Sequence, residues 1–248
     1  MVDPALSPVP SFRIATWNID WASPRSRRRN DVESRLAEID ADVLVLTETT
    51  VGMIPKGWFV AEGGLDWGYP LTRFGDRRKI VLCSKWPIQD IANGMVDPPG
   101  RHVRAIAETP AGTVRIHGVC IPWSHAHVSS GRRDRKLWSE HQTFIASFRE
   151  LLQREETDPE LSVLPLIVAG DFNQKDGGMR PTGTSVVRDA MRALRSEISL
   201  TEVTSDGVID KIAVGPGLSS VESRSFAPPV KMTHHAVSCV LQRSIPPN

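Results

Sequence analysis

Residues 164 to 174 read Leu164-Pro165-Leu166-Ile167-Val168-Ala169-Gly170-Asp171-Phe172-Asn173-Gln174, an apolar run that halts at a glycine and then offers a carboxylate and a carboxamide. Side chains of extended backbone alternate between faces, so Asp171 and Asn173 are expected on one side and Phe172 on the other. A run without alternation suits a strand covered on both faces, and polar groups at its end emerge at the sheet edge, where ligands commonly sit. Standing alone, the same tripeptide would serve as a turn.

Four further strand-like runs also end or begin in polar groups. Phe12-Arg13-Ile14-Ala15-Thr16-Trp17 leads into Asn18 and Asp20, and Asp42-Val43-Leu44-Val45-Leu46-Thr47 into Glu48. The run 208 to 214 carries Asp210, and the run 236 to 241 follows Thr233-His234-His235. Each has an ordinary reading as a cap or turn, but five together point to a shared site. Carboxylate and carboxamide oxygens without a Cys/His cage favour a hard cation, magnesium or manganese over zinc. Such an ion can neutralise a phosphate and stabilise a departing oxyanion.

In order along the chain, Trp17-Asn18-Ile19-Asp20, Thr47-Glu48-Thr49, Lys79-Ile80-Val81-Leu82-Cys83-Ser84-Lys85, Gly170-Asp171-Phe172-Asn173, Ile209-Asp210 and His234-His235 resemble the motifs of the endonuclease/exonuclease/phosphatase superfamily. The resemblance spans roughly residues 12 to 241. It implies an α/β fold with a two-layered β-sandwich core flanked by helices, a four-layer α/β/β/α arrangement, and a metal-dependent phosphoester hydrolase. Glu48 is implied as the metal ligand, with Asn18 and Asp20 beside it and His234 as a further candidate. Asp171 is placed at the attacking water, Asn173 on the phosphoryl oxygens or the nucleophile, and Asp210 behind His235. Imidazole exchanges protons near neutrality, so Asp171 and His235 both remain candidates to take the water's proton.

Two departures from the pattern bear on the site. Thr233-His234-His235 stands where the family commonly has Ser-Asp-His, so His234 replaces a carboxylate. At Val119-Cys120-Ile121-Pro122-Trp123, Cys120 and Trp123 occupy places where relatives usually offer a Tyr or His and then an Asn, making both substrate-contact candidates. His125 and His127 read as loop residues. Arg25, in a basic run with Arg27, Arg28 and Arg29, could reach an anion or be a solvated loop residue. Trp17, Trp58 and Trp138 read as core, whereas Trp21, Trp67 and Trp123 lie in loops and could stack on a flat ligand.

To position these groups the chain needs helices over 31 to 40, 132 to 156 and 185 to 196, and a hairpin pairing 103 to 108 with 113 to 120. Its 248 residues suit one domain over 12 to 243, with tails at 1 to 11 and 244 to 248. Cys83, Cys120 and Cys239 lack paired spacing, which suits reduced thiols in a cytoplasmic monomer rather than a disulfide framework or zinc site. No run is long and apolar enough to span a membrane.

A net charge of +1 announces no basic surface for nucleic acid, although Arg73, Arg77, Arg78 and Lys79 form a local cluster. Gly207-Val208 precedes Ile209-Asp210 where relatives that extract an abasic sugar place an aromatic, which argues against that specialisation. The expected function is a phosphodiesterase or nuclease acting on nucleic acid or nucleotides. The alternatives are a hydrolase of a small-molecule or lipid phosphate, and a non-catalytic binding module on the same fold.

Overall fold

The computed structural model describes residues 9–68, 75–126, 136–175, 184–197, 199–204 and 207–244. Chain order is β1 (Ser11–Asn18), α1 (Arg29–Ile39), β2 (Val43–Thr50), β3 (Phe59–Glu62), β4 (Arg77–Ser84), β5 (Ile88–Asn93), β6 (His102–Thr109), β7 (Gly112–Cys120), α2 (Ser139–Glu156), β8 (Leu166–Asp171), α3 (Ser185–Glu197), β9 (Thr201–Glu202), β10 (Asp210–Val214), β11 (Leu218–Phe226) and β12 (Ala236–Arg243). Two six-stranded sheets result, ordered β11-β12-β1-β2-β4-β3 and β5-β6-β7-β8-β10-β9. In each, one parallel pair joined through a helix sits at the centre, β1 with β2 through α1 and β7 with β8 through α2. A parallel pair needs such a crossover.

The two-residue period of the strands builds three apolar layers. Inward residues Ile14, Val43, Val45, Ile80, Leu82, Val237 and Cys239 of the first sheet meet Val103, Ala105, Ile116, Ile167, Ala169 and Ile212 of the second. The alternate set Ala15, Trp17, Leu44, Leu46 and Val81 packs with Val32 and Ile39 of α1. On the far face Val119, Leu166 and Val168 pack with Phe144, Phe148 and Leu152 of α2 and Met191 and Leu194 of α3. Helix, sheet, sheet, helix is the four-layer order expected from sequence.

The expected hairpin is β6 with β7, paired from His102↔Val119 to Thr109↔Gly112. Helix α1 stops where Asp40 turns left-handed, φ 44°, and its N–H returns to the Leu36 carbonyl. Helix α2 starts at Ser139, later than expected, so Leu137 is exposed rather than on an apolar face; 132–135 lie outside the described residues. Trp17 is core as expected, while Trp58 and Trp138 are half-buried. The tails expected at 1–11 and 244–248 lie largely outside the described residues.

Beneath α2 the second sheet carries a buried ionic network. Glu155 receives Arg104 at 2.9 Å, Arg115 at 3.0 Å and His117 at 2.9 Å, and His117 in turn meets His102 at 2.9 Å. Burial opposes the Glu155 charge, but its His117 and Arg104 hydrogen bonds and the neighbouring positive charges outweigh it and hold the carboxyl down at about 2.

Candidate active site

The centres of the two sheets converge at one end, where β1 finishes in Asn18, β8 finishes in Asp171 and β10 starts with Asp210. Asn18 joins all three. Its Nδ2 donates to Asp171 Oδ2 at 2.9 Å, and its backbone N–H donates to Asp210 Oδ1 at 2.9 Å. Its Oδ1 accepts the Asp20 N–H at 2.9 Å. Asp171 Oδ1 takes the Asn173 N–H at 2.8 Å, and Asp210 Oδ2 takes His234 Nδ1 at 2.6 Å. Gly170 allows this meeting: its φ is 147°, and a Cβ there would lie 1.8 Å from the Val119 carbonyl oxygen of β7.

Glu48 approaches from β2. It is left-handed, φ 46°, and its carbonyl accepts the Trp21 N–H at 2.6 Å. Lys79 of β4 donates to Glu48 Oε1 at 2.7 Å. Asp20, Trp21 and Asn173 are also left-handed, at φ 48°, 58° and 51°. Non-glycine residues adopt this region at a cost, and such strain concentrates at functional sites.

Charge is crowded here. Burial and then the neighbouring Asp210 charge push the Asp171 carboxyl up to about 7, against the pull of His234 and Asn18. Burial also raises Asp210, although its His234 hydrogen bond opposes the rise. For His234 burial favours the neutral ring, but Asp210, Asp171 and Glu48 prevail and lift it to about 9. Burial raises Glu48 as well, yet Lys79, Arg101 and His234 hold it below its usual range. Near neutrality, Asp171 titrates in the presence of an imidazolium and an ionised Glu48.

Several expected placements differ. Asp210 was expected behind His235 but holds His234, in the segment just before β12. His235 is exposed, with Nδ1 3.3 Å from Ser225 Oγ. Strand β8 ends at Asp171, so period-two geometry does not carry Asn173: its Nδ2 donates to the Ile121 carbonyl at 2.8 Å. The Asp20 carboxylate is held by Arg28 Nη1 at 2.6 Å, not turned freely toward Glu48. Arg25 is exposed and hydrogen-bonds none of the site residues among those described.

Cys120 pairs with Asp171 across β7 and β8 but is fully buried, and burial pushes its thiol up to about 12. Trp123 is 48% exposed and packs on His125 at 5.0 Å between ring centroids. Its loop is tied down by His141, whose Nδ1 meets the Pro122 carbonyl at 2.7 Å while Gln174 Nε2 contacts its other nitrogen at 2.7 Å. Trp67 is buried and stacks on Trp21 at 5.5 Å, with Lys79 against both rings at 5.3 and 4.8 Å. Of the local basic cluster, Arg78 binds Glu62 at 2.6 Å, Arg77 lies over Trp21 at 4.7 Å, and Arg73, like His127, lies outside the described residues.

Sequence reasoning missed Arg101 and the Lys79–Glu48 pair. The visible signal was charge abutting apolar strand runs: Lys79 heads the apolar half of β4, and Arg101 directly precedes β6. A separate cleft of about 640 Å³ at the opposite end of β10 is lined by Thr201, Val203, Gly215 and Leu218, with Glu222 as its one charged lining residue among those described. It offers no comparable cluster of reacting groups.

The structure is similar to several solved structures. The human Nocturnin catalytic domain with bound sulfate aligns with TM-score 0.67 at 13% identity, over 95% of this chain and 94% of that one. The AP endonuclease LMAP from Leishmania major gives 0.66 at 13%, over 99% and 91%. A D. rerio TDP2 humanized by 14 mutations gives 0.60 at 13%, over 94% and 99%. No curated protein matches. The Endonuclease/Exonuclease/phosphatase family model matches residues 15–230, and the chain belongs to that family.

Proposed function

We propose that the protein is a metal-dependent phosphodiesterase or nuclease that attacks phosphorus with water. The observation that carries this is the Asn18-bridged cluster of Asp171, Asp210 and His234. Two buried carboxylates beside an imidazolium make one proton acceptor and one donor within a shared network. Asp171, poised near neutrality, accepts the water proton as the water oxygen bonds to phosphorus and the bond to the leaving oxygen breaks. His234 spends Nδ1 on Asp210 and presents Nε2–H to a phosphoryl oxygen. Asn18 keeps both carboxylates in register, and Asn173 positions the loop after β8 through its bonds to Asp171 and Ile121.

The donor chemistry fits a hard divalent ion. Glu48 presents a half-exposed, ionised carboxylate beside Asn18 and the two buried Asp residues. Among the described residues no three His, Cys, Asp or Glu side chains converge to cage an ion, so the fit is to magnesium or manganese held by one or two protein ligands and water. Glu48 would be its principal ligand, and the ion would neutralise phosphate charge and stabilise the leaving oxyanion. Nucleic acid or nucleotides are the proposed substrates, supported by fold neighbours named as an AP endonuclease and TDP2. Three free, buried cysteines suit action in the cytoplasm.

The test is hydrolysis of an aryl phosphodiester, an aryl phosphomonoester and plasmid DNA, each with magnesium, manganese or chelator. Metal-dependent product from a diester or DNA is expected. No turnover of any of them overturns the reading, and turnover of the monoester alone redirects it to a phosphatase.

A further inference from the structure

We propose that Arg101 is a phosphate-gripping residue of this site, binding the non-bridging oxygens of the phosphoryl group that is attacked; the inference rests on the phosphoester reading above. Arg101 is only 4% exposed. Its backbone is fixed at the sheet end by the Cys120 N–H, which donates to its carbonyl at 2.8 Å. Its Nη1 reaches back to the Cys120 carbonyl at 3.3 Å, with Cys120 Sγ at 4.0 Å. Cys120 pairs directly with Asp171, so the guanidinium lies beside the cluster. Its charge is felt at Glu48 and at the Cys120 thiol, where Lys79, Glu48 and Asp171 act too.

What separates Arg101 from Arg104 and Arg115 is that, among the described residues, it makes no ion pair at contact distance, its interaction with Glu48 acting only through space. Arg104 meets Glu155 and Asp90, and Arg115 meets Glu155 and Glu156. Arg101 meets no carboxylate within ion-pair distance among the described residues. Nε is unbonded in all three, but in Arg104 and Arg115 the charge is answered. Burying a guanidinium without a partner is costly, and folds retain such groups where a ligand completes them. A phosphate suits the guanidinium in both charge and shape, because the planar fork takes two oxygens at once. Lys79 is less suited to this task, since its ammonium is already committed to Glu48.

The small side chain of Cys120 is part of the arrangement. Its carbonyl and sulfur are the groups over which the guanidinium lies, and a bulky residue there would have to share that space. The buried thiol, held protonated, contributes room and a weak acceptor rather than a nucleophile.

The experiment measures binding of inorganic phosphate to the full chain with magnesium present, by calorimetry and by the phosphate-dependent rise in melting temperature. Wild type is expected to bind, Arg101→Gln to weaken binding about a hundredfold and Arg101→Lys, which keeps the charge but loses the fork, about tenfold. Arg192→Gln, at an exposed position on α3, should bind as wild type does. A wild type indifferent to phosphate, or an Arg101→Gln affinity within about twofold of wild type, overturns the proposal. Should the Gln variant fail to fold, Arg101→Lys decides by the same twofold criterion. Because binding is read without turnover, phosphate binding that depends on Arg101 in a protein that hydrolyses nothing sinks only the hydrolase reading. Diester hydrolysis with unchanged phosphate affinity in the variants sinks only the role of Arg101.

Discussion

His234 Nδ1 lies 2.6 Å from Asp210 Oδ2, while its neighbour His235 is directed to Ser225 at 3.3 Å. The two consecutive histidines lie just before β12 and meet different partners, and the buried carboxylate takes the first. Replacing His234 with Ala should lower kcat by a factor on the order of 10² to 10⁴ with the fold intact, whereas His235→Ala should stay near wild type. Steady-state kinetics on an aryl diester decides this, and the reverse pattern would return the catalytic role to His235.

Stability of the metal-free protein should fall as pH rises. The Asp171 carboxyl is raised to about 7 in the folded state, so the folded chain keeps a proton that the unfolded chain has lost, and stability drains away up to about pH 7. For His234, raised to about 9, the contribution is fully present below its unfolded value near 6.5 and is lost as pH climbs through about 9. Both effects have the same sign. Calorimetric scans in chelator should show a melting temperature that declines from about pH 5 to about pH 9, with the decline above about pH 7 flattened in His234→Asn.

Lys79 sits on the oxygen of Glu48 that a cation would otherwise approach. Glu48→Gln should abolish measurable magnesium binding, and Lys79→Gln should tighten it about tenfold or more by removing a competing positive charge. Isothermal titration with magnesium checks both, and unchanged affinity in Glu48→Gln would remove Glu48 as the ligand.

Gly170 is where β8 presses closest to β7. With φ at 147° and the Val119 oxygen in the way, Gly170→Ala must displace backbone at the base of Asp171. A stability loss of about 2 kcal/mol or more is expected, with activity falling further than stability explains. Urea denaturation and kinetics on the same preparation measure the two.

Glu155 answers Arg104, Arg115 and His117 on the face of the second sheet away from the cluster. Glu155→Gln leaves two buried guanidinium groups undercompensated and should cost about 3 to 5 kcal/mol. Denaturant titration should show this loss, while the KM of the folded fraction stays unchanged.

The apolar strand runs, their abrupt polar ends and the order of the motifs were legible in sequence because strand burial and strand termination are local properties. They led to the four-layer fold, to the family, and to Asn18, Glu48, Asp171 and Asp210 as the groups to watch. The details that choose a mechanism are not local. Which histidine meets Asp210 depends on how the segment before β12 packs against a strand 24 positions away. That Asp20 is held by Arg28, Lys79 by Glu48, and Arg101 lies over Cys120 depends on which side chains the packed sheets bring within a few ångströms. Composition set the available charges; burial in the tertiary structure decided which were neutralised and which left the Asp171 proton poised near neutrality, since desolvation and close carboxylates act only once the chain has closed around them.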